Sequence, residues 1–261
     1  MQPSAMINKI LTKLRKNRAF HREQREILAA AQQLFPGSIV SDGPFGGLRY
    51  AGWHGHGSAI YAKLLGTYEA ELHPFVECVV SARPELVVDV GCAEGYYAIG
   101  LARRLPSAKI VAADSSERAR QMCSEMARAN AVTDRVEIMG VLHREGLLKL
   151  AAVPRGWLIC DCEGGEADLL DNQVLNKLSS WFLLVELHEY LVPGVEDRLI
   201  GLASCTHNVE VIDSVDDYRR ARKWPRPAME AMSSQITHAM YREGRPGLMR
   251  WLCATPRHDN N

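Results

Sequence analysis

Asp89, Gly91, Gly95 and Asp114 carry the most legible chemistry in this chain. In Val87-Val88-Asp89-Val90-Gly91-Cys92-Ala93-Glu94-Gly95-Tyr96-Tyr97 an apolar, β-branched run ends in an acid, passes through a glycine-bearing turn and opens a helix. Glycine at such a turn lets the backbone approach a ligand more closely than a β-carbon permits. The unpaired N–H groups of the helix start then aim at that ligand. One strand later, Ile110-Val111-Ala112-Ala113 ends in Asp114, roughly 20 residues on, where ribose-binding acids of doubly wound sheets sit. Together these features indicate a nucleoside-containing ligand at the carboxyl edge of a parallel sheet. Dinucleotide sites use G-x-G-x-x-G to admit a pyrophosphate, whereas the spacing here is Asp89-x-Gly91-x-x-x-Gly95 with a further acid at Glu94. Carboxylates in the loop repel a pyrophosphate and suit a ligand bearing an ammonium and a sulfonium.

A second reactive set closes two later apolar runs. Asp161 and Glu163 are two apart in Ile159-Cys160-Asp161-Cys162-Glu163-Gly164-Gly165, and so are Glu186 and His188 in Leu184-Val185-Glu186-Leu187-His188-Glu189. A strand sends residues i and i+2 to one face, so each pair converges. His188 or a carboxylate could serve as general base toward an acceptor hydroxyl or amine. Alternatively, Asp161, Glu186 and His188 could hold a divalent ion that lowers the acceptor's pKa. In a third reading Asp161 binds the cofactor, Glu163 caps the next helix and His188 is simply hydrogen-bonded in place. All three readings stay open at this level. His54-Gly55-His56 offers two imidazoles that could bind a metal or roof the site, but without further spaced ligands it reads first as an ordinary loop. Beside it, Tyr50 and Trp53 could wall the acceptor if that loop folds over the sheet edge. Cys160 and Cys162 alternate with Asp161 and read as core thiols on the opposite face. Trp181 and Trp251 read as packing against helices.

The elements that must position these groups alternate as a parallel sheet requires. Strands are expected at Leu86–Val90, Lys109–Ala113, Val136–Met139, Gly156–Asp161 and Phe182–Leu187. Helices are expected at about Tyr97–Leu105, Glu117–Ala129, Gly146–Leu150 and Ala167–Leu178. The last third adds a strand at Val209–Ile212, a helix around Ala228–Tyr241 and a closing strand over Leu248–Ala254. Upstream, Ile7, Ile10, Leu11, Leu14, Ile27, Leu28, Ala31 and Leu34 recur at helical spacing among basic residues, and Pro36-Gly37 ends the run. Its basic face reads as solvated or packed on the core or a second copy of the chain, with RNA or an acidic partner the alternative. The glycine-rich stretch from Ser41 to Ser58 predicts turns or a hairpin, and a helix from about Ala59 to Ala82, interrupted near Pro74, leads into the sheet. The expected fold class is α/β, a Rossmann-like, doubly wound, mostly parallel seven-stranded sheet. An N-terminal helical and glycine-rich extension (1–60) serves as lid or oligomer contact and precedes a catalytic domain (61–261).

Composition narrows the partners. With 31 basic and 31 acidic residues the formal net charge is zero, which argues against nucleic acid held by bulk charge. Seven cysteines, an odd number without framework spacing, fit a reducing cytoplasm. No apolar run approaches the length of a membrane span, and no signal-type apolar core follows the basic N-terminus.

Over roughly Tyr68 to Tyr190, the loop and the two acids resemble motif I of the class I S-adenosylmethionine methyltransferases. The resemblance implies S-adenosyl-L-methionine as cofactor, gripped by Asp89, Gly91, Cys92, Ala93, Glu94 and Gly95. It implies ribose contacts at Asp114 with Ser115, and contacts near the methionine end at Tyr68 and Glu69. The two later strands are then neighbours whose ends lie beside the sulfonium, which implies Asp161, Glu186 and His188 as catalytic or metal-holding residues. Asp161-Cys162-Glu163-Gly164, the later Glu166, and Glu186-Leu187-His188 resemble the FkbM-like branch, whose members include O-methyltransferases of small molecules and sugars. The implied function is methyl transfer to a small-molecule acceptor, foremost at oxygen. The alternatives are an RNA or protein methyltransferase docking through the basic N-terminal helix, or a cofactor-binding scaffold without turnover. No Asn/Asp-Pro-Pro-Tyr/Phe tetrapeptide of the base-methylating kind occurs.

Overall fold

Near-continuous burial of five-residue runs is what a sheet covered on both faces demands. The computed structural model describes residues 20–56 and 60–257. In chain order these form a helix over 20–34, α1, then α2 (Ile60–Leu65), α3 (His73–Ala82), β1 (Leu86–Val90), α4 (Tyr96–Arg104), β2 (Lys109–Ala113), α5 (Glu117–Ala129), β3 (Val136–Met139) and α6 (Arg144–Leu150). There follow β4 (Gly156–Cys160), α7 (Glu166–Leu169), α8 (Asn172–Lys177), β5 (Phe182–Leu187), α9 (Val195–Ala203), β6 (His207–Asp213), α10 (Asp217–Lys223), α11 (Ser234–Tyr241) and β7 (Arg250–Pro256). The seven strands run in the order β3-β2-β1-β4-β5-β7-β6. β7 is antiparallel to both its neighbours, and the other pairings are parallel. Strands are added in one direction from β1 to β3 and in the other from β4 onward, and ligands of open α/β sheets settle at the carboxyl ends beside such a switch point.

Alternation sorts the strand residues into two cores. Val87, Ile110, Ala112, Ile159 and Leu184 join one cluster with residues of α1, α3, α4 and α5. Val88, Val111, Leu158, Leu183 and Val185 join the other with residues of α8 and α9. Ile27 and Ala31 of α1, with Phe35, Phe45 and Leu48, belong to the first cluster, so the glycine-rich stretch packs on the sheet domain. That stretch forms turns closed by one antiparallel bridge, Ile39 to Arg49. The upstream helical pattern from Ile7 through Arg18 lies outside the described residues. Among the described residues, no helix is long and apolar enough to cross a membrane.

Several expected elements differ in detail. The helix expected at Ala167–Leu178 is two, because the Asp171 side chain accepts from Val174 N and caps α8. An Asx residue offers the backbone this alternative to continuing a helix. The segment before β1 is likewise divided: α2 ends at Leu65, Glu69 is left-handed, and α3 starts afresh at His73. α11 begins at Ser233, its N-cap, with only a short 3₁₀ turn at Pro227–Met229 before it. Helices α9 and α10 were not expected. Glu189 accepts from Gly194 N and Glu196 N at the start of α9, and Asp216 caps α10.

Candidate active site

A cavity of about 780 Å³ opens at the carboxyl ends of β1, β2, β4 and β5. Its β1–β2 half is built by the glycine loop. Gly91 adopts φ +85°, and a β-carbon there would lie 1.6 Å from the Asp161 carbonyl oxygen. The exit of β4 therefore excludes a side chain at 91, and Gly91 itself lines the cavity. Gly95 is the left-handed N-cap of α4, and a β-carbon on it would meet Ile99 and Cys123 at 2.8 and 2.9 Å. Helix packing sets this requirement, and Gly95 does not line the cavity.

Asp89, Cys92, Ala93, Asp114 and Ser115 do line it. Asp114 binds the two loops together, accepting from Ala93 N at 2.9 Å and from Ser116 N at 2.8 Å. Asp89 accepts from Ala98 N at 3.0 Å, satisfying a free N–H in the first turn of α4. Burial raises its carboxyl to about 7, against the Ala98 hydrogen bond, which favours the ionised form.

Glu94 and Glu69 are placed elsewhere. Glu94 is fully buried, paired with Lys63 Nζ at 2.6 Å, and accepts from Tyr50 Oη and His56 N. Lys63 also faces the Tyr68 and Tyr96 rings at 4.8 and 5.3 Å. This buried pair fastens the glycine-rich stretch over the loop. Removing one partner of such a pair costs about 3–5 kcal/mol, so the acid is held for its salt bridge and not toward the cavity. Glu69 accepts from Tyr97 Oη at 2.5 Å and from Arg245 Nη2 at 2.6 Å, behind the cavity wall to which Tyr68 contributes. Of the glycine-rich stretch, His56 reaches the cavity. Tyr50 and Trp53 are not among its lining residues, and His54 is exposed.

The β4–β5 half holds the acid cluster. Cys160 pairs with Val185 in register, which sets Asp161 beside Glu186. His188 is 1% exposed. Its Nδ1 lies 3.0 Å from Glu166 Oε1. Its Nε2 lies 3.5 Å from Asp161, 3.6 Å from Glu163 and 3.6 Å from Glu186. Burial opposes charge on this imidazole, but the Glu166 hydrogen bond and the fields of Glu166, Glu186 and Glu163 outweigh it and raise its pKa. Burial and the neighbouring Glu186 push the Asp161 carboxyl well above the usual range. Asp161, Glu186 and His188 each offer a ligand atom within 4.8 Å of the others. Glu163 approaches Tyr190 Oη, not a helix N-terminus.

Arg245, absent from the sequence reading, completes this half. It donates from Nη1 to Glu186 at 2.5 Å, from Nη2 to Glu69 at 2.6 Å and from Nε to Glu243 at 2.9 Å. Arg220 joins Glu71 to Glu243 behind it. Two guanidiniums thus face Glu69, Glu71, Glu186 and Glu243. Burial raises Glu243 to about 7, with Arg245 and Arg220 opposing and Glu69 and Glu71 adding to the rise. The signal was the run Arg242-Glu243-Gly244-Arg245-Pro246, charged residues inside a turn just before a strand. Trp251 also lines the cavity beneath Arg245, at 5.9 Å, and does not simply pack on helices. Trp181 is core, filling the space beside Gly156. Cys160 is buried in the second core, 3.6 Å from Cys162 Sγ; Cys162 departs from the expectation by reaching the cavity wall.

Comparison with known proteins fits this geometry. Residues 73–149, from α3 through the glycine loop and Asp114 nearly to the end of α6, match the family model described as methyltransferase small domain. No curated protein matches the sequence. Similar solved structures include a precorrin-6y C5,15-methyltransferase from Geobacter metallireducens GS-15, with 11% identity over 71% of this chain and 89% of that one and a TM-score of 0.47. They also include an O-methyltransferase from Bacillus cereus in complex with S-adenosylhomocysteine, with 12% identity over 72% and 81% and a TM-score of 0.47. At such identities the likeness is one of fold. The strand order with its antiparallel seventh strand gives the seven-stranded, mostly parallel, Rossmann-like sheet that the sequence leads one to expect. The segment that carries the glycine loop and Asp114 is thus similar to a methyltransferase domain.

Proposed function

We propose that the chain methylates a small-molecule acceptor, foremost at a hydroxyl oxygen, with His188 as general base. One observation carries this reading: a buried imidazole whose Nε2 meets Asp161, Glu163 and Glu186 within 3.6 Å, in the cavity also lined by Asp89 and Asp114. S-adenosyl-L-methionine, held by cavity residues such as Asp89, Cys92, Ala93, Asp114 and Ser115, would supply an activated methyl group for displacement at its sulfonium, and His188 Nε2 would take the acceptor's hydroxyl proton. Displacement of this kind requires chiefly orientation and a deprotonated nucleophile. A cavity of about 780 Å³ lies in the range that encloses small molecules rather than polymers. Asp161-Cys162-Glu163-Gly164, Glu166 and the Glu186-Leu187-His188 strand support the FkbM-like branch. His56 at the cavity supports a lid role for the stretch before α2.

Calorimetry with S-adenosylhomocysteine tests the cofactor half. Asp89 sits near 7 in the free protein and is partly protonated at neutral pH. A ligand ammonium nearby favours the ionised carboxylate, so binding should release a proton near pH 7 and tighten as pH rises through that value. Heats measured in buffers of different ionisation enthalpy report the released proton, and Asp89→Asn should abolish it. Absence of binding heat from well-folded protein would remove the cofactor assignment.

The 4.8 Å grouping of Asp161, Glu186 and His188 favours a second reading, in which these residues hold a divalent ion. Mixed carboxylate and imidazole donors suit such an ion, and a cation would offset the repulsion that raises Asp161. When bound, it would supply Lewis acidity that lowers the acceptor's pKa. Elemental analysis of purified protein decides between the readings: stoichiometric metal, lost in Asp161→Asn, supports the ion, and metal-free protein with turnover in chelator supports the base alone.

A further inference from the structure

Glu166 has no role in the transfer itself as proposed above. It is the first residue of α7 and fully buried. Its Oε1 accepts from Cys162 N at 2.8 Å and faces His188 Nδ1 at 3.0 Å. One oxygen thereby ties the exit of β4 to the exit of β5. Its second oxygen is buried without a protein partner, an arrangement that costs free energy and that loop closure alone does not require. An ionised carboxylate only accepts hydrogen bonds, so the ring nitrogen facing it must carry hydrogen. Neutral imidazole has one N–H and one lone pair, and the partner of one nitrogen decides the state of the other. The lone pair then falls on Nε2, whose neighbouring carboxylates, Asp161, Glu163 and Glu186, stand at 3.5–3.6 Å and make no hydrogen bond to it.

We propose that Glu166 is a positioning residue that fixes His188 in the Nδ1–H tautomer and turns the Nε2 lone pair into the cavity. The inference deepens the reading of His188 as base and rests on it for its consequence in turnover. A metal held through Nε2 would need the same tautomer. The geometric claim about the imidazole is independent of which partner Nε2 serves.

Long-range proton–nitrogen correlation on the ¹⁵N-labelled full chain, at alkaline pH where the ring is neutral, reads the tautomer directly. His188 is identified by the signal lost in His188→Gln. The expected wild-type pattern is a protonated Nδ1 and a lone-pair Nε2. Glu166→Ala should convert it to an exchanging mixture, and Glu166→Gln, whose amide oxygen still accepts, should restore it. A wild-type Nε2–H pattern, or a spectrum unmoved by Glu166→Ala, overturns the proposal. The wild-type pattern and Glu166→Gln decide the matter even if the alanine variant fails to fold. In folded Glu166→Ala, kcat should fall about 10–100-fold with the cofactor Kd unchanged. If the tautomer shifts as stated and kcat holds, the tautomer assignment stands and the base role of His188 fails.

Discussion

Replacing His188 by alanine is expected to lower kcat by about 10²–10⁴-fold, the contribution of a positioned general base, with S-adenosylhomocysteine binding nearly intact. The separation follows from position: His188 ends the β5 side of the cavity, whereas Asp89 and Asp114 line the β1–β2 side. Alanine also strands the Glu166 carboxylate, so His188→Gln, whose amide N–H can still donate to Glu166, serves as a second variant. Release of S-adenosylhomocysteine across a panel of hydroxylated and amino acceptors measures turnover, and calorimetry measures binding. Loss of binding alongside turnover would move His188 into the cofactor pocket or the core. A base works only when unprotonated. Carboxylates around His188 raise its pKa, so wild-type kcat/KM should climb with pH along a limb lying above the ordinary imidazole range. That limb should vanish in His188→Gln.

Among the glycines whose surroundings the structure describes, Gly91 should be the one least able to accept alanine. The added carbon would sit 1.6 Å from the Asp161 carbonyl oxygen and 2.6 Å from its carbon. These are backbone atoms at the end of β4, so no side chain can rotate away. The alanine would also have to hold φ +85°, a left-handed conformation costing an L residue about 1–2 kcal/mol. Overpacking adds about 1–3 kcal/mol or more, for a loss of at least about 2–5 kcal/mol in all. Because the clash parts β1 from β4 where the cavity opens, cofactor binding should be lost even in the fraction that folds. Urea unfolding with unchanged slope and a lowered midpoint measures the stability loss. Gly95→Ala gives the contrast: its nearest obstacles are the side chains of Ile99 and Cys123, which can move, so the loss should be smaller. Equal tolerance at both glycines would show that the β1–β4 contact is looser than described.

How far the sequence alone reaches is clear from individual residues. Local pattern placed each of the seven strands: β1, β2 and β4 are buried five-residue runs flanked by turn residues, while the partly exposed β3 and β6 show through their β-branched residues. The acids Asp89 and Asp114 were legible because strand ends and loop spacing are local properties, and both line the cavity. The i, i+2 pairs on β4 and β5 were legible for the same reason: strand periodicity fixes a face without reference to neighbours.

What pattern could not supply was the partner of each charge. Glu94 stands in the glycine loop, yet Lys63, 31 residues earlier, takes its carboxylate. Glu69 sits just upstream of β1 but answers to Arg245, 176 residues away. Gly91 is glycine because of Asp161 on another strand, and His188 receives its tautomer from Glu166 across the β4–β5 exits. Spacing along the chain set which residues reach the carboxyl edge of the sheet. Only the tertiary structure decided which of those charges neutralise one another and which remain facing the cavity, since Coulombic and hydrogen-bond partners are chosen by distance in space and by burial.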